Sequence, residues 1–185
     1  KDKIKYKERL NTEQNTVFEG IIKGSQLSLV NGKPGTGKSY LMGSVRQYYE
    51  DQKAHVLGCA PSGKAAIELQ QGAGIKSSTI DSLLFAIEEK RIKLNSDTVL
   101  VCDETGMVGI RKLSKLLSYV EAANSKLIIV GDFQQLQAIE SGNSFYNLIK
   151  KVGTFELNDI QRQKEQVDRD NIDKIAAGKM QDVLD

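Results

Sequence analysis

The run Gly32-Lys33-Pro34-Gly35-Thr36-Gly37-Lys38-Ser39 has the spacing G-x4-G-K-[ST], a pattern whose chemistry is phosphate binding. The glycines let successive backbone N–H groups turn inward around a polyphosphate, and a helix starting there adds the positive end of its dipole. Lys38 is spaced to reach the β- and γ-phosphates and Ser39 to ligate Mg2+. The plain alternative is a Gly-rich turn that binds nothing, against which stand the strand-like run before the motif and the helical period after it. Further on, Val99-Leu100-Val101-Cys102 ends in Asp103-Glu104. Adjacent carboxylates at the carboxyl end of a buried strand stand where open α/β sheets bind ligands. There Asp103 would hold Mg2+ and Glu104 would polarise the attacking water as general base. By itself such a strand end is equally a solvated turn or an N-cap; the Gly-rich loop upstream gives it weight. A second acidic strand end, Ile128-Ile129-Val130-Gly131-Asp132, leads into Phe133-Gln134-Gln135-Leu136, where a Gln could hydrogen-bond a γ-phosphate or its water.

These residues need elements to position them, and the chain supplies two alternating patterns. Leu27 to Val30, Val56 to Ala60, Val99 to Cys102 and Leu127 to Val130 are short Val-, Leu- and Ile-rich runs, the pattern of strands buried on both faces. Leu113, Leu116, Leu117 and Val120 fall at i, i+3, i+4 and i+7, as do Ile80, Leu83, Leu84 and Ile87; Leu41, Val45, Tyr48 and Tyr49 form a third helical stripe. The alternation predicts βαβ units, a mainly parallel sheet and helices on both faces. A length of 185 residues with 39% hydrophobic side chains suffices for one folded core without disulfide or metal.

Composition excludes more than it assigns. With 26 Lys+Arg against 24 Asp+Glu, a bulk basic surface for nucleic acid is unsupported, although a local groove is compatible. No apolar run approaches the ~18 residues of a membrane span. One His and two separated cysteines exclude a zinc cluster of familiar spacing. Cys59 and Cys102 sit in apolar runs and read as buried free thiols, in keeping with a cytoplasmic location. The start at Lys1-Asp2-Lys3, without Met or an apolar leader, is expected of a piece of a longer protein. Residues 1–9 read as a loose, charged extension, 10–165 as the domain, and 166–185 as a helical segment with a helix over 167–177.

An Asn-Lys-x-Asp guanine-reading stretch and a Leu-Ser-Gly-Gly signature are both absent from the sequence. What is present is an ordered series. Leu10-Asn11-Thr12-Glu13-Gln14 is followed by the Gly-rich loop, then by Ala60-Pro61-Ser62-Gly63-Lys64-Ala65-Ala66 and Ser78-Thr79-Ile80-Asp81. Next come Asp103-Glu104-Thr105-Gly106-Met107, Gly131-Asp132-Phe133-Gln134-Gln135-Leu136, and Leu157-Asn158-Asp159-Ile160-Gln161-Arg162-Gln163. Over residues 10–165 this series resembles superfamily 1 DNA helicases, in particular the RecD-like branch that includes the helicase parts of Tra-type conjugative relaxases.

The resemblance implies a RecA-like α/β domain that binds ATP and Mg2+, hydrolyses ATP, and in the intact protein works with a second RecA-like domain on single-stranded DNA. It implies that Gln14 reads the adenine edge, that Gly32, Pro34, Gly35, Thr36, Gly37, Lys38 and Ser39 hold the nucleotide, and that Ser39 and Asp103 hold the metal. Lys38, Glu104, Gln135 and Arg162 would be catalytic, Gln135 sensing the γ-phosphate and Arg162 stabilising transferring charge. Ser62, Lys64, Thr79 and Phe133 would lie along DNA. Local chemistry offers other roles: a helix N-cap for Ser62, a capping box for Ser78 and Asp81, a solvated Lys64, a packed Phe133, a surface Gln14 and an ion-paired Arg162. Asp81 stands where many relatives have His, and a carboxylate there repels phosphate. A nucleotide- or DNA-binding module without turnover is the alternative function, and a small-molecule kinase a third.

Overall fold

The computed structural model describes residues 4–105, 108–133 and 149–158. Its strands are β1 (Leu27–Gly32), β2 (His55–Ala60), β3 (Ser77–Thr79), β4 (Thr98–Cys102), β5 (Lys126–Gly131) and β6 (Phe155–Leu157). Its helices are α1 (Ile4–Lys7), α2 (Thr12–Lys23), α3 (Lys38–Asp51), α4 (Gly63–Ala73), α5 (Ile80–Glu88) and α6 (Ile110–Ala122). The four apolar runs are strands and the three apolar stripes are helices, as the pattern requires. The expected helix over 167–177, together with Gln135 and Arg162, lies outside the described residues.

The strands form one sheet in the order β3-β2-β4-β5-β1-β6, with every pair parallel. All carboxyl ends therefore meet on one edge. Alternate residues of the central strands enter different cores. Val99, Val101, Ile128 and Val130 pack with Phe18, Ile21, Leu41 and Val45 of α2 and α3. Leu100, Cys102, Leu127 and Ile129 pack with Ile80, Leu83, Leu113 and Leu116 of α5 and α6. Burial on both faces is what makes these strands continuous apolar runs and not alternating ones. The two cysteines are free and buried, opposite one another across the β2–β4 pair. The neighbouring Cys102 thiol, and then burial, push the Cys59 thiol up.

Two strands have no apolar run to announce them. β3 is Ser-Ser-Thr and β6 is Phe-Glu-Leu, three residues each. Both are edge strands, held by pairing with β2 and β1 rather than by burial on two faces.

The N-terminal segment departs from the expectation of a loose extension. α1 forms, and Tyr6 is buried against Phe18 and Tyr48 at ring separations of 6.3 and 5.6 Å. Its hydroxyl meets the carboxylate of Asp51, which Lys5 also pairs at 3.0 Å. The alternating charges around Tyr6 hide one aromatic anchor, and that anchor carries the segment. Among the described residues no helix is long and apolar enough to cross a membrane. Tyr6→Ala should cost about 3 kcal/mol, the usual range for truncating a buried ring, read as a lower urea midpoint; an unchanged midpoint would mean that α1 does not dock in solution.

Candidate functional site

β1 ends at Gly32, and the chain turns through Lys33–Gly37 into α3. Gly35 and Gly37 have φ of 86° and 78°, the left-handed region that glycine enters without strain. Gly37 is the N-cap of α3 and caps with no side chain, so the first N–H groups of the helix face the loop's concavity. Thr36 is buried; its hydroxyl donates to the Lys33 carbonyl at 2.8 Å and closes the turn. Gly32 has no room for a side chain, since a Cβ there would stand 2.8 Å from Thr36 Oγ1. Lys38 folds its ammonium back, donating to the carbonyls of Gly32 at 2.6 Å and Lys33 at 2.9 Å. Burial draws its pKa below the usual lysine value, against the opposing pull of Asp103, Asp132 and Glu104.

Those carboxylates belong to the neighbouring strand ends. β5 lies between β1 and β4, so the loop and Asp103-Glu104 are two strand spacings apart, about 10 Å. The intervening cleft, of about 260 Å3, is lined by Pro34, Lys38, Ser39, Asp103, Glu104 and Asp132 among others. Asp103 continues the β2–β4 ladder through its N–H to Cys59 O at 2.9 Å. Its carboxylate accepts from the Glu104 N–H at 2.8 Å. Glu104 has φ of 50°, an uncommon conformation for a non-glycine residue. Burial raises the pKa of Asp103 most, with Glu68 adding to it and the Glu104 N–H and Lys38 opposing. Glu104 is raised too, by burial and then by Asp103 and Glu68, against Lys38 and Lys64.

Gln14 is buried, not a surface residue. With Asn11 it makes a full capping box at the start of α2, and its Nε2 also reaches the Gly37 carbonyl at 3.4 Å. It thereby ties α2 to the Gly-rich loop. Ser62 caps α4, accepting from the Ala65 N–H at 3.2 Å. Lys64 is 87% exposed, with Glu68 at 3.9 Å. The cap of α5 is Thr79, accepting from the Ser82 N–H at 3.1 Å. The capping role expected of Ser78 thus falls to its successor Thr79, and the N–H it meets is that of Ser82 and not of Asp81. Asp81 instead pairs with Lys112 at 2.7 Å, so its charge is met locally. Phe133 is half-buried against the α5–α6 core, and its N–H donates to Asn31 Oδ1 at 2.9 Å. Ser62, Lys64 and Thr79 share the carboxyl edge of the sheet with the cleft.

Glu68 and Asn31 escaped the motif reading, and Thr105 stood in a motif without a role. Glu68 enters the cleft from α4 with Ala65 and Leu69, an i, i+3, i+4 face that helical spacing shows once the orientation of α4 is known. Asn31 joins the Phe133 N–H to Glu156 of β6, its Nδ2 donating at 2.7 Å. Thr105 is buried, and its hydroxyl lies 3.2 Å from Cys102 O and 3.0 Å from Val130 O.

Comparison with known proteins agrees with this architecture. A family profile described as an AAA domain matches residues 9–185. The probable conjugal transfer protein TraA of Sinorhizobium fredii is 37% identical over 177 residues, 96% of this chain and 16% of its own length. The ATP-dependent RecD2 DNA helicase of Deinococcus radiodurans is 30% identical over 163 residues, covering 86% of this chain and 22% of the relative. Among solved structures, Bacteroides Pif1 in complex with ADP-AlF4 superposes with a TM-score of 0.57 at 17% identity, over 92% of this chain and 46% of that one. These matches bear out the resemblance to RecD-like and Tra-type proteins and the RecA-like fold. The chain thus spans about a sixth of the length of its TraA relative.

Burial of Asp103 in the cleft has a measurable consequence. The folded-state pKa of Asp103 lies above its unfolded value, so its ionised form opposes folding at neutral pH and ceases to do so as pH falls through the carboxylate range. Asp103→Asn, which keeps an acceptor for the Glu104 N–H, should raise stability at pH 7. The gain over wild type should shrink in urea titrations at pH 4; a loss at pH 7 would contradict the sign.

Proposed function

The chain belongs to the AAA-domain family, and from that premise we propose that it is the ATP-binding and ATP-hydrolysing motor domain of a RecD-like helicase. In the intact protein this activity would be coupled to movement along and unwinding of DNA, in the setting of conjugative transfer or a RecD-like process. The observation that carries the reading is one cleft at the carboxyl edge of a parallel sheet. It has a glycine-shaped nest and Lys38 on one wall and Asp103-Glu104 on the other.

The nest and the start of α3 offer backbone N–H groups to the phosphates of ATP. Lys38 exchanges its bonds to the Gly32 and Lys33 carbonyls for β- and γ-phosphate oxygens, and its charge then meets a partner stronger than a carbonyl. Gln14 retains one amide N–H and one lone pair for an adenine edge. For Mg2+ the fit rests on two hard oxygen donors, the Ser39 hydroxyl and the Asp103 carboxylate, lining the same cleft. Among the described residues no group of three or more His, Cys, Asp or Glu could hold a metal, and an ion shared with substrate phosphates needs only one or two carboxylates. When bound, Mg2+ would neutralise charge on the phosphates. Glu104 takes the proton of the attacking water. Its raised pKa makes it a stronger base than an ordinary carboxylate, closer to the working pH.

Gln135 and Arg162 are assigned by motif resemblance, as sensor of the γ-phosphate and stabiliser of transferring charge. A second RecA-like domain, outside this chain, would complete the motor. Ser62, Lys64, Thr79 and Phe133 are proposed to face the DNA strand.

Calorimetry with Mg·ATP should show Lys38→Ala weakening binding by about tenfold or more, the loss expected of a charge-assisted contact; equal affinity would sink the assignment of the loop. Glu104→Gln should keep binding while hydrolysis falls by about 10²–10⁴-fold, the usual contribution of a general base. Tight binding by wild type with no turnover, even with single-stranded DNA present, would favour a binding module instead.

A further inference from the structure

We propose that Thr105 is a positioning residue for hydrolysis, its hydroxyl holding Glu104 in the left-handed conformation that aims this carboxylate into the phosphate cleft. The proposal rests on the reading of Glu104 as general base given above.

The argument starts from where β4 and β5 part. Their last paired residues are Cys102 and Ile129; beyond them β4 turns away while β5 continues to Gly131. At that fork stands Thr105, 1% exposed, with one hydroxyl proton between two carbonyls, Cys102 O of β4 and Val130 O of β5. In a buried site the loss of that proton strands Val130 O, which lies past the last β4–β5 pair, while Cys102 O keeps its place in the ladder. The backbone closes on the same point, since a Cβ built on Gly131 would lie 3.3 Å from Thr105 N. Gly131 permits that approach and Thr105 ties it.

Glu104 is therefore held from both sides. Its predecessor is pinned to β2 through the Asp103 N–H to Cys59 O bond at 2.9 Å, and its successor to β5 through the Thr105 hydroxyl. Between these anchors φ is 50°. For a non-glycine residue the left-handed region persists only where its surroundings impose it. The Asp103 carboxylate's bond to the Glu104 N–H is local and travels with the dipeptide, so it does not fix the turn relative to β5. The Thr105 hydroxyl does. Without it Glu104 can relax to negative φ, which swings its side chain away from Lys38 and Asp132 and leaves the Gly-rich loop untouched.

Two variants separate this role from a packing role. Thr105→Val keeps the branched shape and removes the proton; Thr105→Ser keeps the hydroxyl. In the 185-residue chain with Mg·ATP and single-stranded DNA, Thr105→Val should lower kcat by about tenfold or more, the cost of a misplaced catalytic group. KM and calorimetric ATP affinity should stay near wild type, and Thr105→Ser should restore turnover. In NMR spectra, the strong intraresidue HN–Hα cross-peak that marks positive φ at Glu104 should be present in wild type and Thr105→Ser and lost in Thr105→Val. Unchanged kcat in Thr105→Val, equal impairment of both variants, or a retained Glu104 cross-peak in Thr105→Val would overturn the proposal. If wild type binds ATP through Lys38 but does not hydrolyse it, the reading of Glu104 as base fails separately, and the cross-peak still decides whether Thr105 sets its conformation.

Discussion

The site depends on one constraint of strand order: β5 lies between β1 and β4 in an all-parallel sheet. Were β1 and β4 adjacent, the Gly-rich loop and Asp103 would stand one strand spacing apart, about 5 Å, with no room for a phosphate between Lys38 and the carboxylates. With β5 inserted, the gap doubles and its floor is the end of β5, Gly131-Asp132. Gly131 is the small residue the floor needs, because the Thr105 backbone packs directly on it. The two cores hold that spacing, since a sheet buried on both faces by α2 and α3 and by α5 and α6 cannot slide one strand without emptying both.

Against this rigid frame the cleft is electrostatically uncomfortable. Asp103, Glu104 and Asp132 crowd the ammonium of Lys38, and Glu68, which Lys64 approaches, adds its charge against Asp103 and Glu104. Burial lifts both Asp103 and Glu104 above ordinary carboxylates while it draws Lys38 below an ordinary amine. Each group is displaced toward its neutral form, and each would be returned to its charged form by a polyanion chelated to a cation: phosphate for Lys38, metal for the acids. Strain of this kind is expected where binding energy, rather than folding energy, is meant to settle the charges.

Much of this was legible from residues alone. The central strands declare themselves because two-sided burial writes an unbroken apolar run, and α3, α5 and α6 because one-sided burial writes a stripe. The loop is legible because left-handed backbone at Gly35 and Gly37 demands glycine. The edges are less so: β3 and β6 are stabilised by backbone pairing, which leaves no side-chain signature. Tyr6 was hidden among charges, since one aromatic suffices to dock a short helix. Thr105 and Asn31 act through carbonyl and amide groups of distant strands, a partnership that only the register brings about. Glu68 depends on which way α4 faces.

The hydroxyls on the sheet edge show how far capping and ligand contact can coexist. An N-cap hydroxyl accepts a backbone N–H through a lone pair, and its own proton remains to be spent. At Ser62 the recorded bond is of that accepting kind, from Ala65 N, so a donor toward a phosphate is compatible with the cap. At Thr79 the hydroxyl accepts from the Ser82 N–H and also donates to Ser82 Oγ at 2.9 Å, so a phosphate contact there must first displace a bond inside α5. Asp81, one residue on, is compensated by Lys112, which removes the repulsion its charge alone would exert without adding a free cation. On the β2 side of the edge a hydroxyl proton is thus left unspent, while on the β3 side both the hydroxyl and the carboxylate are already engaged.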